Sequence, residues 1–463
     1  MIKKTFISEW EKYTKIFSKG GQVIMKSKIA IVVSAASDYN RGDQALLWRA
    51  KDFAKDAWDI EKYFCFESES EHLIQSQKEG FELLEPILHH PSHGKATQKN
   101  INYSFGVKMQ WGISAIKDFF KSAILLIFPY NNIAKFVLNK KQLKTLTLLK
   151  NADVVLIKGG GYIHAYGKIT DLYYIYYCIY NILLASRLKK KIYILPNSFG
   201  PLKGRVVKKM VYNALRRCTV VMTRESISKK LLDDMCIENS LQPDMAFLLD
   251  AKKNNKTDEI LNNLKIEKGM NCVAITVRPY RFPQSKNPEK KYEEYKQSII
   301  RIIDWLRKNN YRVILVEHTS SRNAHENDGK CIDEIIKEFH GNLEVLRNKN
   351  LDCKELKYIY SQFDYIIGTR FHSVIFGLSE LVPGIAISYS GNKTQGIMKD
   401  IGLQEYVIDI TEITEQILKE KFQLMVENRN KYIEIIEKYK KDSYANYLKI
   451  INKEKSRKWT KKY

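Results

Sequence analysis

Short apolar runs rich in β-branched residues recur along the chain and predict buried strands. Most of them are followed by a polar turn and then by a segment with helical periodicity. Such alternation is typical of parallel sheets that carry helices on both faces. In the first half of the chain the predicted strands lie at 28–34, 152–157, 191–195 and 219–223. In the second half they lie at 272–277, 312–316, 363–367 and 385–389.

The alternation is interrupted between residues 251 and 270, where the sequence is polar and rich in lysine and asparagine. We therefore predict an α/β protein with two doubly wound, Rossmann-like domains that face a cleft. The length of 463 residues agrees, because one hydrophobic core rarely organises so long a chain. The predicted parts are an N-terminal extension (1–27), a first domain (28–250) with an insertion at about 66–148, a linker (251–270), a second domain (271–410), and C-terminal helices with a basic tail (411–463).

Two apolar stretches invite comparison with membrane helices. One covers residues 172–185 and is broken by Asn181, and the other covers residues 123–129. A spanning helix needs about 20 apolar residues, so neither stretch predicts a membrane span. We interpret the first as a buried core helix. The second has lysines and phenylalanines around it, and three alternatives remain open for it: a helix in a membrane interface, a lid, or an inter-domain helix.

The net positive charge of the chain limits the kinds of partner that the protein is expected to bind. Lysine and arginine number 77 against 52 acidic residues, which gives a formal net charge of +25. Such an excess favours nucleic acid, an anionic membrane surface or anionic substrates. The basic residues are spread along the chain and no nucleic-acid motif is present, so we do not predict nucleic acid as a partner. The densest basic cluster, at 453–462, fits either a phospholipid surface or a solvated chain end.

Cysteine usage and the N-terminal sequence both indicate a cytoplasmic protein. The seven cysteines are scattered and form no Cys-x-x-Cys pair, so neither a zinc site nor a disulfide framework is predicted. No group of His, Asp and Glu has metal-ligand spacing on a predicted helix, and we expect no metal. Residues 1–17 lack the apolar core of a signal peptide.

Polar side chains and glycines collect where the predicted strands end. The carboxyl ends of parallel strands share one edge of a sheet, and open α/β sheets bind their ligands at that edge. The first half contributes Asn40, Gly42, Asp43, Gly159, Gly160, Gly161, Asn197, Ser198, Gly200, Arg224, Glu225, Ser226 and Asp244. The second half contributes Arg278, Glu317, His318, Arg370, His372, Ser373 and Lys393.

Each of these residues also has a purely structural explanation. Asp43 could cap the following helix as readily as take part in catalysis. The three glycines could bind an anion through backbone amides at the start of the next helix, or could serve only a tight turn. Arg224 and Glu225 could pair with each other on the surface, and Asp244 could cap the next turn.

The segment 368–373, with the sequence GTRFHS, combines the most chemistry in the fewest residues. It follows the predicted strand at 363–367 and precedes a predicted helix. Arg370 can hold a carboxylate or a phosphate in a two-pronged grip. His372 is the side chain best suited to move a proton near neutral pH. The structural alternative is a tight turn with an ion-paired arginine and a core histidine.

From about residue 28 to 410, the order of these motifs resembles the polysaccharide pyruvyl transferase family. The matching motifs are Asn40-x-Gly42-Asp43, Gly159-Gly160-Gly161, Ser198-Phe199-Gly200-Pro201, Arg224-Glu225-Ser226, Pro243-Asp244, Thr369-Arg370-Phe371-His372-Ser373, and Ser388-Tyr389 with Lys393. The resemblance implies a two-domain fold like that of GT-B glycosyltransferases. It also implies transfer of a pyruvyl group from phosphoenolpyruvate to two hydroxyls of one sugar, forming a cyclic ketal.

The same resemblance implies an acceptor in a surface polysaccharide or exopolysaccharide, often carried on a lipid. The protein would then work in the cytoplasm, in peripheral contact with the inner face of the plasma membrane, with phosphoenolpyruvate as donor and no cofactor. We expect Arg370 to hold the phosphoenolpyruvate, with Arg224 and Arg278 as further candidates. We expect His372 to transfer a proton and either Asp43 or Glu225 to accept one from the hydroxyl. The remaining expected substrate contacts are Ser373, Asn40, Gly159, Gly160, Gly161, Asp244 and Lys393.

Two other functions share this architecture, because a fold does not determine a function. A GT-B glycosyltransferase that uses a sugar nucleotide would need a carboxylate for the ribose and a base-stacking pocket in the second domain. The sequence identifies neither. A non-catalytic partner in exopolysaccharide assembly would have no need of Arg370 and His372.

Overall fold

The computed structural model describes residues 27–457, apart from 35, 69–71, 91–104, 322–325, 348–349 and 390. Almost all of the predicted N-terminal extension, the end of the basic tail and part of the predicted insertion lie outside the described residues. Within the described ranges, the chain forms two parallel sheets that are covered by helices.

The first half of the chain builds an eight-stranded parallel sheet. Its strands are β1 (Ile29–Val32), β2 (Lys62–Phe66), β3 (Phe81–Leu84), β4 (Val154–Ile157), β5 (Gly160–Ala165), β6 (Lys191–Leu202), β7 (Val220–Thr223) and β8 (Ser240–Leu241). Their order in space is β3-β2-β1-β4-β6-β7-β8, and β5 pairs with β6. The helices of this half are α1 (Arg41–Trp58), α2 (Ile74–Lys78), α3 (Phe105–Ile127), α4 (Asn131–Val137), α5 (Lys140–Asn151), α6 (Asp171–Arg187), α7 (Arg205–Leu215) and α8 (Ser226–Asp234).

The second half builds a six-stranded parallel sheet after a 3₁₀ turn at Met245–Leu248 and helix α9 (Asn255–Asn263). Its strands are β9 (Cys272–Thr276), β10 (Arg312–Val316), β11 (Glu344–Leu346), β12 (Tyr365–Gly368), β13 (Gly384–Ser388) and β14 (Val407–Asp409). Its helices are α10 (Pro288–Lys308), α11 (Asp328–Glu338), α12 (Cys353–Ser361), α13 (Phe371–Ser379), α14 (Lys393–Ile401), α15 (Glu415–Glu427) and α16 (Arg429–Ser456).

The order of the second sheet, β11-β10-β9-β12-β13-β14, corresponds to the 3-2-1-4-5-6 order of the doubly wound fold. The first sheet follows the same scheme through β3-β2-β1-β4. Each sheet therefore has a topological switch point, where the strand order reverses direction. It lies between β1 and β4 in the first sheet and between β9 and β12 in the second. At each switch point the two strands pair in parallel, with Ile31 of β1 opposite Val155 of β4 and Ile367 of β12 opposite Ile275 of β9. The predicted doubly wound architecture is confirmed.

All eight predicted strands are present, because residues that are buried on both faces of a sheet leave an apolar run in the sequence. The helix predicted at 172–185 and the predicted C-terminal helices after residue 411 are present as well. The segment at about 66–148, which was predicted to be an insertion, belongs in part to the first sheet. Strand β3 lies inside it and pairs with β2, so the first sheet includes residues up to Leu84.

The two halves meet just before α1. Asn40 forms an antiparallel bridge with Thr319, and the Ser320 amide donates to the Tyr39 carbonyl at 3.0 Å. One helical turn later, Gln44 accepts a hydrogen bond from the Cys353 amide at 2.8 Å. The start of α1 is thus held by backbone and side-chain contacts from the opposite half.

The C-terminal helix α16 packs on both halves. The buried hydroxyl of Tyr432 accepts from the Gly384 amide at 3.1 Å and donates to the Gly384 carbonyl at 2.6 Å, at the start of β13. Further along the helix, Tyr447 donates to Asp56 at 2.6 Å, and Glu454 accepts from Tyr193 at 2.6 Å. Among the residues that the structure describes, no helix is long and apolar enough to cross a membrane.

We predict that Tyr432→Phe lowers the free energy of unfolding by about 1–3 kcal/mol, because it leaves buried polar groups of Gly384 without a partner. Urea denaturation followed by circular dichroism measures this loss. Tyr444→Phe is the matched control, since Tyr444 lies on the same helix and is exposed. Equal stability of the two variants would show that the contact between α16 and β13 contributes little.

Candidate active site

A cavity of about 110 Å³ lies between the two halves, where the switch points of the two sheets face each other. Seven of the thirteen predicted site residues line it. The residues around the cavity are Asn40, Asp43, Leu46, Gly160, Gly161, His318, Arg370, Phe371, His372, Tyr389 and Lys393.

The two halves approach each other closely at Gly42. A Cβ atom added at this glycine would lie 2.0 Å from Nδ1 of His372, which no side chain could tolerate. Gly42 is in the first turn of α1, where helical backbone angles suit any residue. The glycine is therefore required for space rather than for conformation, because it lets the imidazole rest on the helix.

Asn40 organises the start of α1. Its side chain accepts from the amides of Gly42 and Asp43 at 3.1 and 3.3 Å, so Asn40 and not Asp43 is the N-cap. Its amide group also donates to Asp43 at 2.9 Å, and Lys158 donates to the other oxygen of Asp43 at 2.8 Å. Burial alone would raise the pKa of Asp43, but Lys158 outweighs burial and lowers it. Asp43 is therefore a fixed carboxylate at the cavity wall.

Arg224 and Asp244 form a buried ion pair beside the cavity. Nη1 of Arg224 lies 2.9 Å from Asp244, and Nε donates to Ser198 at 2.7 Å. Its Nη2 atom is buried and has no hydrogen-bond partner among the described residues. A Cβ at Gly161, which lines the cavity, would lie 3.1 Å from that atom. The glycine thus leaves one edge of the guanidinium uncovered on the cavity side.

Asp244 also caps the 3₁₀ turn that follows it, through the Ala246 amide at 2.9 Å, which confirms that interpretation. Burial would raise the pKa of Asp244, but His372 and Arg224 hold it far below its usual value. The distance from Asp244 to Nε2 of His372 is 3.7 Å, too long for a hydrogen bond. Asp244 therefore remains an anion, with Arg224, Lys393 and the imidazole of His372 around it.

His372 and Lys393 form the titratable centre of the site. Nζ of Lys393 lies 3.5 Å from Nδ1 of His372. Burial and the nearby Lys393 lower the pKa of His372 to about 4. Burial and the nearby Arg224 lower the pKa of Lys393 to about 7. Near neutral pH the imidazole is therefore uncharged, and the amine is close to its titration point.

Arg370 lines the cavity, but its guanidinium is already partly occupied. Nε donates to Asp328 at 2.7 Å, Nη1 donates to the Glu326 carboxylate at 2.7 Å, and Nη2 donates to the Glu326 carbonyl at 3.0 Å. This geometry contradicts the expectation that Arg370 offers a free, two-pronged grip. These bonds use three of the five N–H groups of Arg370, so one N–H on each of Nη1 and Nη2 could still donate to a substrate anion.

Arg278 shares the same acidic partner. Its Nη2 atom lies 3.1 Å from Glu326, and its guanidinium lies 4.2 Å from the ring centroid of Tyr389. Burial would raise the pKa of Glu326, and the two arginines reverse that effect and lower it. The carboxylate of Glu326 thus bridges Arg278 and Arg370 as an anion that the protein itself supplies.

Three predicted site residues have structural positions away from the cavity. Glu225 is buried and caps α8, where its carboxylate accepts from the Ser228 amide at 2.7 Å. The structure therefore does not support Glu225 as the proton acceptor, and it also excludes the expected surface pair with Arg224. Ser373 is buried against Thr276 at 2.8 Å. Gly159 packs closely against the backbone of β6, since a Cβ added there would lie 2.8 Å from the Pro196 carbonyl oxygen.

The glycine triplet leads into a strand and not into a helix. Strand β5 begins at Gly160, and α6 begins only at Asp171. The expected anion site at a helix N-terminus is therefore wrong for these glycines. Gly160 and Gly161 reach the cavity as the opening residues of an additional strand that pairs with β6.

Three residues that were not among the predicted site residues also belong here: Lys158, His318 and Tyr389. His318 is 1% exposed, and its Nε2 atom has no hydrogen-bond partner among the described residues. Burial, together with the nearby His372 and Arg370, lowers the pKa of His318 well below its usual value. Lys158 and His318 were signalled only by their positions after predicted strands, which surface residues share, whereas Tyr389 also belongs to a motif of the family resemblance.

Comparison with known proteins places this site in a family. The sequence model of the family described as polysaccharide pyruvyl transferase matches residues 40–391, which begin at the cap of α1 and include every predicted site residue except Lys393. The chain belongs to the polysaccharide pyruvyl transferase family. Within this family match, the residues of the cavity come from both halves of the chain.

A curated relative is the amylovoran biosynthesis protein AmsJ of Erwinia amylovora. It is 24% identical over 273 residues, which are 57% of this chain and 62% of AmsJ. The alignment thus covers less than two thirds of the relative. The similarity is therefore to part of a protein that is named for the biosynthesis of amylovoran.

Solved structures share the fold of this pyruvyl transferase family member. A Listeria monocytogenes protein assigned as a UDP-N-acetylglucosamine 2-epimerase has a TM-score of 0.51 at 9% identity, covering 89% of this chain and 91% of its own. The trehalose-6-phosphate synthase OtsA has a TM-score of 0.51 at 9% identity, covering 93% and 99%. At such identities the likeness concerns the fold alone, which is GT-B.

We predict that Gly42→Ala displaces the imidazole of His372 and lowers activity by at least about tenfold while the protein stays folded. The added methyl group is small, but it would occupy the position of the ring. Turnover and the thermal melting temperature should be measured together. Gly106→Ala is a suitable control, because a Cβ at Gly106 meets no atom within 4 Å. Full activity in Gly42→Ala would contradict the proposed packing.

Proposed function

We propose that this protein transfers the pyruvyl group of phosphoenolpyruvate to two hydroxyls of one sugar in a polysaccharide or exopolysaccharide precursor, forming a ketal. Family membership supports the reaction class. The observation that carries the proposal is the excess of cations around the small cavity. Among the described residues, the three cations Lys158, Arg224 and Lys393 lie near two carboxylates, Asp43 and Asp244.

The size of the cavity favours a small donor. Its volume is about 110 Å³, whereas pockets for drug-sized ligands usually measure about 300–1,000 Å³. Phosphoenolpyruvate has three carbons, one carboxylate and one phosphate. A sugar nucleotide would need far more space and a surface on which its base could stack. These considerations favour a pyruvyl transferase over a GT-B glycosyltransferase.

Arg224 and Lys393 are the residues we assign to the donor's anionic groups. The free Nη2 atom of Arg224 can donate to a phosphate or carboxylate oxygen without breaking an existing bond. Among the residues that the structure describes, Lys393 has no carboxylate within ion-pair distance, and burial together with the nearby Arg224 and Lys158 lowers its pKa. A bound anion would relieve that repulsion, which is a favourable contribution to binding.

The Lys393–His372 pair is suited to supply the proton for the methylene carbon. The charges of phosphoenolpyruvate oppose the repulsion that lowers both pKa values, so binding should draw a proton onto the pair. This pair then protonates the methylene carbon as a sugar hydroxyl forms its bond to the adjacent carbon. In the free protein, burial and the nearby Lys393 keep His372 uncharged near neutral pH.

The two hydroxyls complete the reaction without any further reagent. Asp43 is ionised at the cavity wall and accepts the hydrogen bond of the attacking hydroxyl, whose proton restores the donor pair. The first attack gives a carbon that bears a methyl, a carboxylate, the phosphate and the first sugar oxygen. The second hydroxyl then displaces the phosphate, which leaves with the second proton, and the ketal closes. Arg370 and Arg278 act by holding Glu326 and Asp328 beside this chemistry.

We further propose that the acceptor sugar is carried on a lipid and that the protein works in the cytoplasm at the inner face of the plasma membrane. The excess of positive charge over the whole chain supports such a location. The decisive experiment is incubation with labelled phosphoenolpyruvate and lipid-linked glycans from the source cell, followed by mass spectrometry. A product heavier by one pyruvyl ketal, with equimolar phosphate, is the expected result.

A thermal-shift screen separates the donor classes before the acceptor is known. Phosphoenolpyruvate should raise the melting temperature, whereas UDP-sugars and GDP-sugars should not. Stabilisation by a sugar nucleotide alone would reject the pyruvyl transfer proposed here in favour of a glycosyltransferase.

We predict that His372→Ala lowers ketal formation by about two to four orders of magnitude, because the proton relay is lost. Mass spectrometry of the glycan measures product, and far-ultraviolet circular dichroism checks the fold. His340→Ala serves as the control, since His340 is exposed. Near-normal product from His372→Ala would remove this residue from the mechanism.

We predict that phosphoenolpyruvate binding weakens as the pH rises above about 7. Binding requires the protonated amine of Lys393, whose pKa is about 7 in the free protein, so binding is strongest below that value. The dissociation constant should rise by up to about tenfold per pH unit, measured by calorimetry above pH 7, where the phosphate is already ionised.

The variant Lys393→Ala should bind about 10–100-fold more weakly and lose this pH dependence. Lys441→Ala, which removes an exposed lysine on α16, should behave like the unmodified protein. The assignment of Lys393 is wrong if the steep pH dependence persists in Lys393→Ala.

A further inference from the structure

Helix α3 displays an apolar stripe on its outer face. Met109, Ile113, Ile116, Phe120, Ile124 and Ile127 follow each other at intervals of three or four residues and are all exposed. Ile116 is 59% exposed and Phe120 62% exposed. Residues three and four apart lie on one side of a helix, so these side chains form a continuous surface. A water-facing helix normally carries polar residues at such positions.

The opposite face of α3 already attaches the helix to the protein. Leu125 is buried, and Ser122 lies 2.7 Å from the hydroxyl of Tyr176 on α6. Phe119 packs beside the same tyrosine, with ring centroids 5.0 Å apart. The exposed stripe is therefore additional to the packing that holds α3 in place.

Aromatic side chains continue this apolar surface beyond the end of α3. Phe128 and Tyr130 are exposed in the turn between α3 and α4, and Phe136 on α4 is 92% exposed. An exposed apolar surface of this extent in a protein marks an interaction site or a membrane contact. Aromatic rings are favoured at the boundary between water and lipid.

The charge of the same helices selects the partner. Between residues 105 and 151 the sequence has eight lysines and one acidic residue, Asp118. Lys117, Lys135, Lys140 and Lys144 are exposed among them. An anionic lipid surface complements this charge and accepts the apolar side chains as well. A second copy of the chain would instead bring two lysine-rich surfaces together without a counter-charge.

The dimensions of α3 indicate that it lies along a bilayer and does not cross it. Its 23 residues span about 35 Å, and no described helix meets the requirements for a membrane span. A helix in the interface places its apolar face about 5–10 Å into the lipid and keeps its lysines at the headgroups.

The position of α3 links this surface to the cavity. Helix α3 packs on α6, and Tyr174 of α6 donates to the Tyr162 carbonyl of β5 at 2.8 Å. The same strand begins with Gly160 and Gly161, which line the cavity. A bilayer on α3 would lie on the side of the cleft that the first half forms.

We propose that the apolar face of α3, with the adjoining Phe128, Tyr130 and Phe136, binds the surface of an anionic phospholipid bilayer. This inference deepens the proposed function, because it names the surface through which a lipid-linked acceptor would be reached. The binding itself requires neither phosphoenolpyruvate nor acceptor. It can therefore be tested apart from the reaction.

The test is co-sedimentation of the full-length protein with vesicles of phosphatidylcholine, with and without phosphatidylglycerol. We expect binding to the anionic vesicles that weakens as salt is raised. The double variant Ile116→Glu/Phe120→Glu places two acids in the middle of the stripe. It should bind at least about tenfold more weakly, with an unchanged melting temperature and an unchanged thermal shift by phosphoenolpyruvate.

The double variant Tyr444→Glu/Leu448→Glu is the matched control, because it alters two exposed apolar residues at the same spacing on α16. It should bind vesicles like the unmodified protein. The proposal is overturned if the unmodified protein ignores anionic vesicles, or if both double variants bind equally well. It is also overturned if size-exclusion chromatography shows a dimer that only Ile116→Glu/Phe120→Glu dissociates, with no vesicle binding. Vesicle binding without any effect of phosphoenolpyruvate would reject the proposed donor and leave the α3 surface intact.

Discussion

The contact of the His372 imidazole with Gly42 is the constraint on which the site depends. It joins the start of α13, which follows β12, to the start of α1, which follows β1, so one helix from each switch point begins at this contact. Since the contact has no space for a methyl group, the distance between the halves is set by atoms of the site itself. Asn40 supports it from one side by capping α1 and from the other by its bridge to Thr319. The cavity is what remains between two surfaces held this close.

Electrostatic crowding follows from that closeness. Cations from both halves lie around one small volume, and burial deprives them of the water that would screen them. The cost is visible in the lowered pKa values of Lys393 and His372. In the second half, the positive charge of Arg370 is instead neutralised by two carboxylates of the protein, Glu326 and Asp328. One group of cations is thus balanced permanently, and the other is left for a ligand.

Much of this arrangement could be predicted from the sequence. Buried strands leave apolar runs, and the doubly wound topology brings the residues after them to one edge, so Asp43, His372 and Lys393 were recognisable as neighbours. Local pattern could not predict which groups pair once they are there. The carboxylates that occupy Arg370 follow a different strand, and Glu225 is used to cap α8. Strand β5 was missed because its glycines and aromatic residues do not form an apolar run.

The path of α16 has a consequence for how the molecule is made. The first sheet is synthesised early, but Tyr193 donates a hydrogen bond to Glu454, and Asp56 accepts one from Tyr447. The ring of Phe53 also packs near Tyr447, with centroids 6.3 Å apart. Domains usually fold from the N-terminus as the chain leaves the ribosome. Here the first half also packs against α16, so its final packing can form only after that helix has been synthesised.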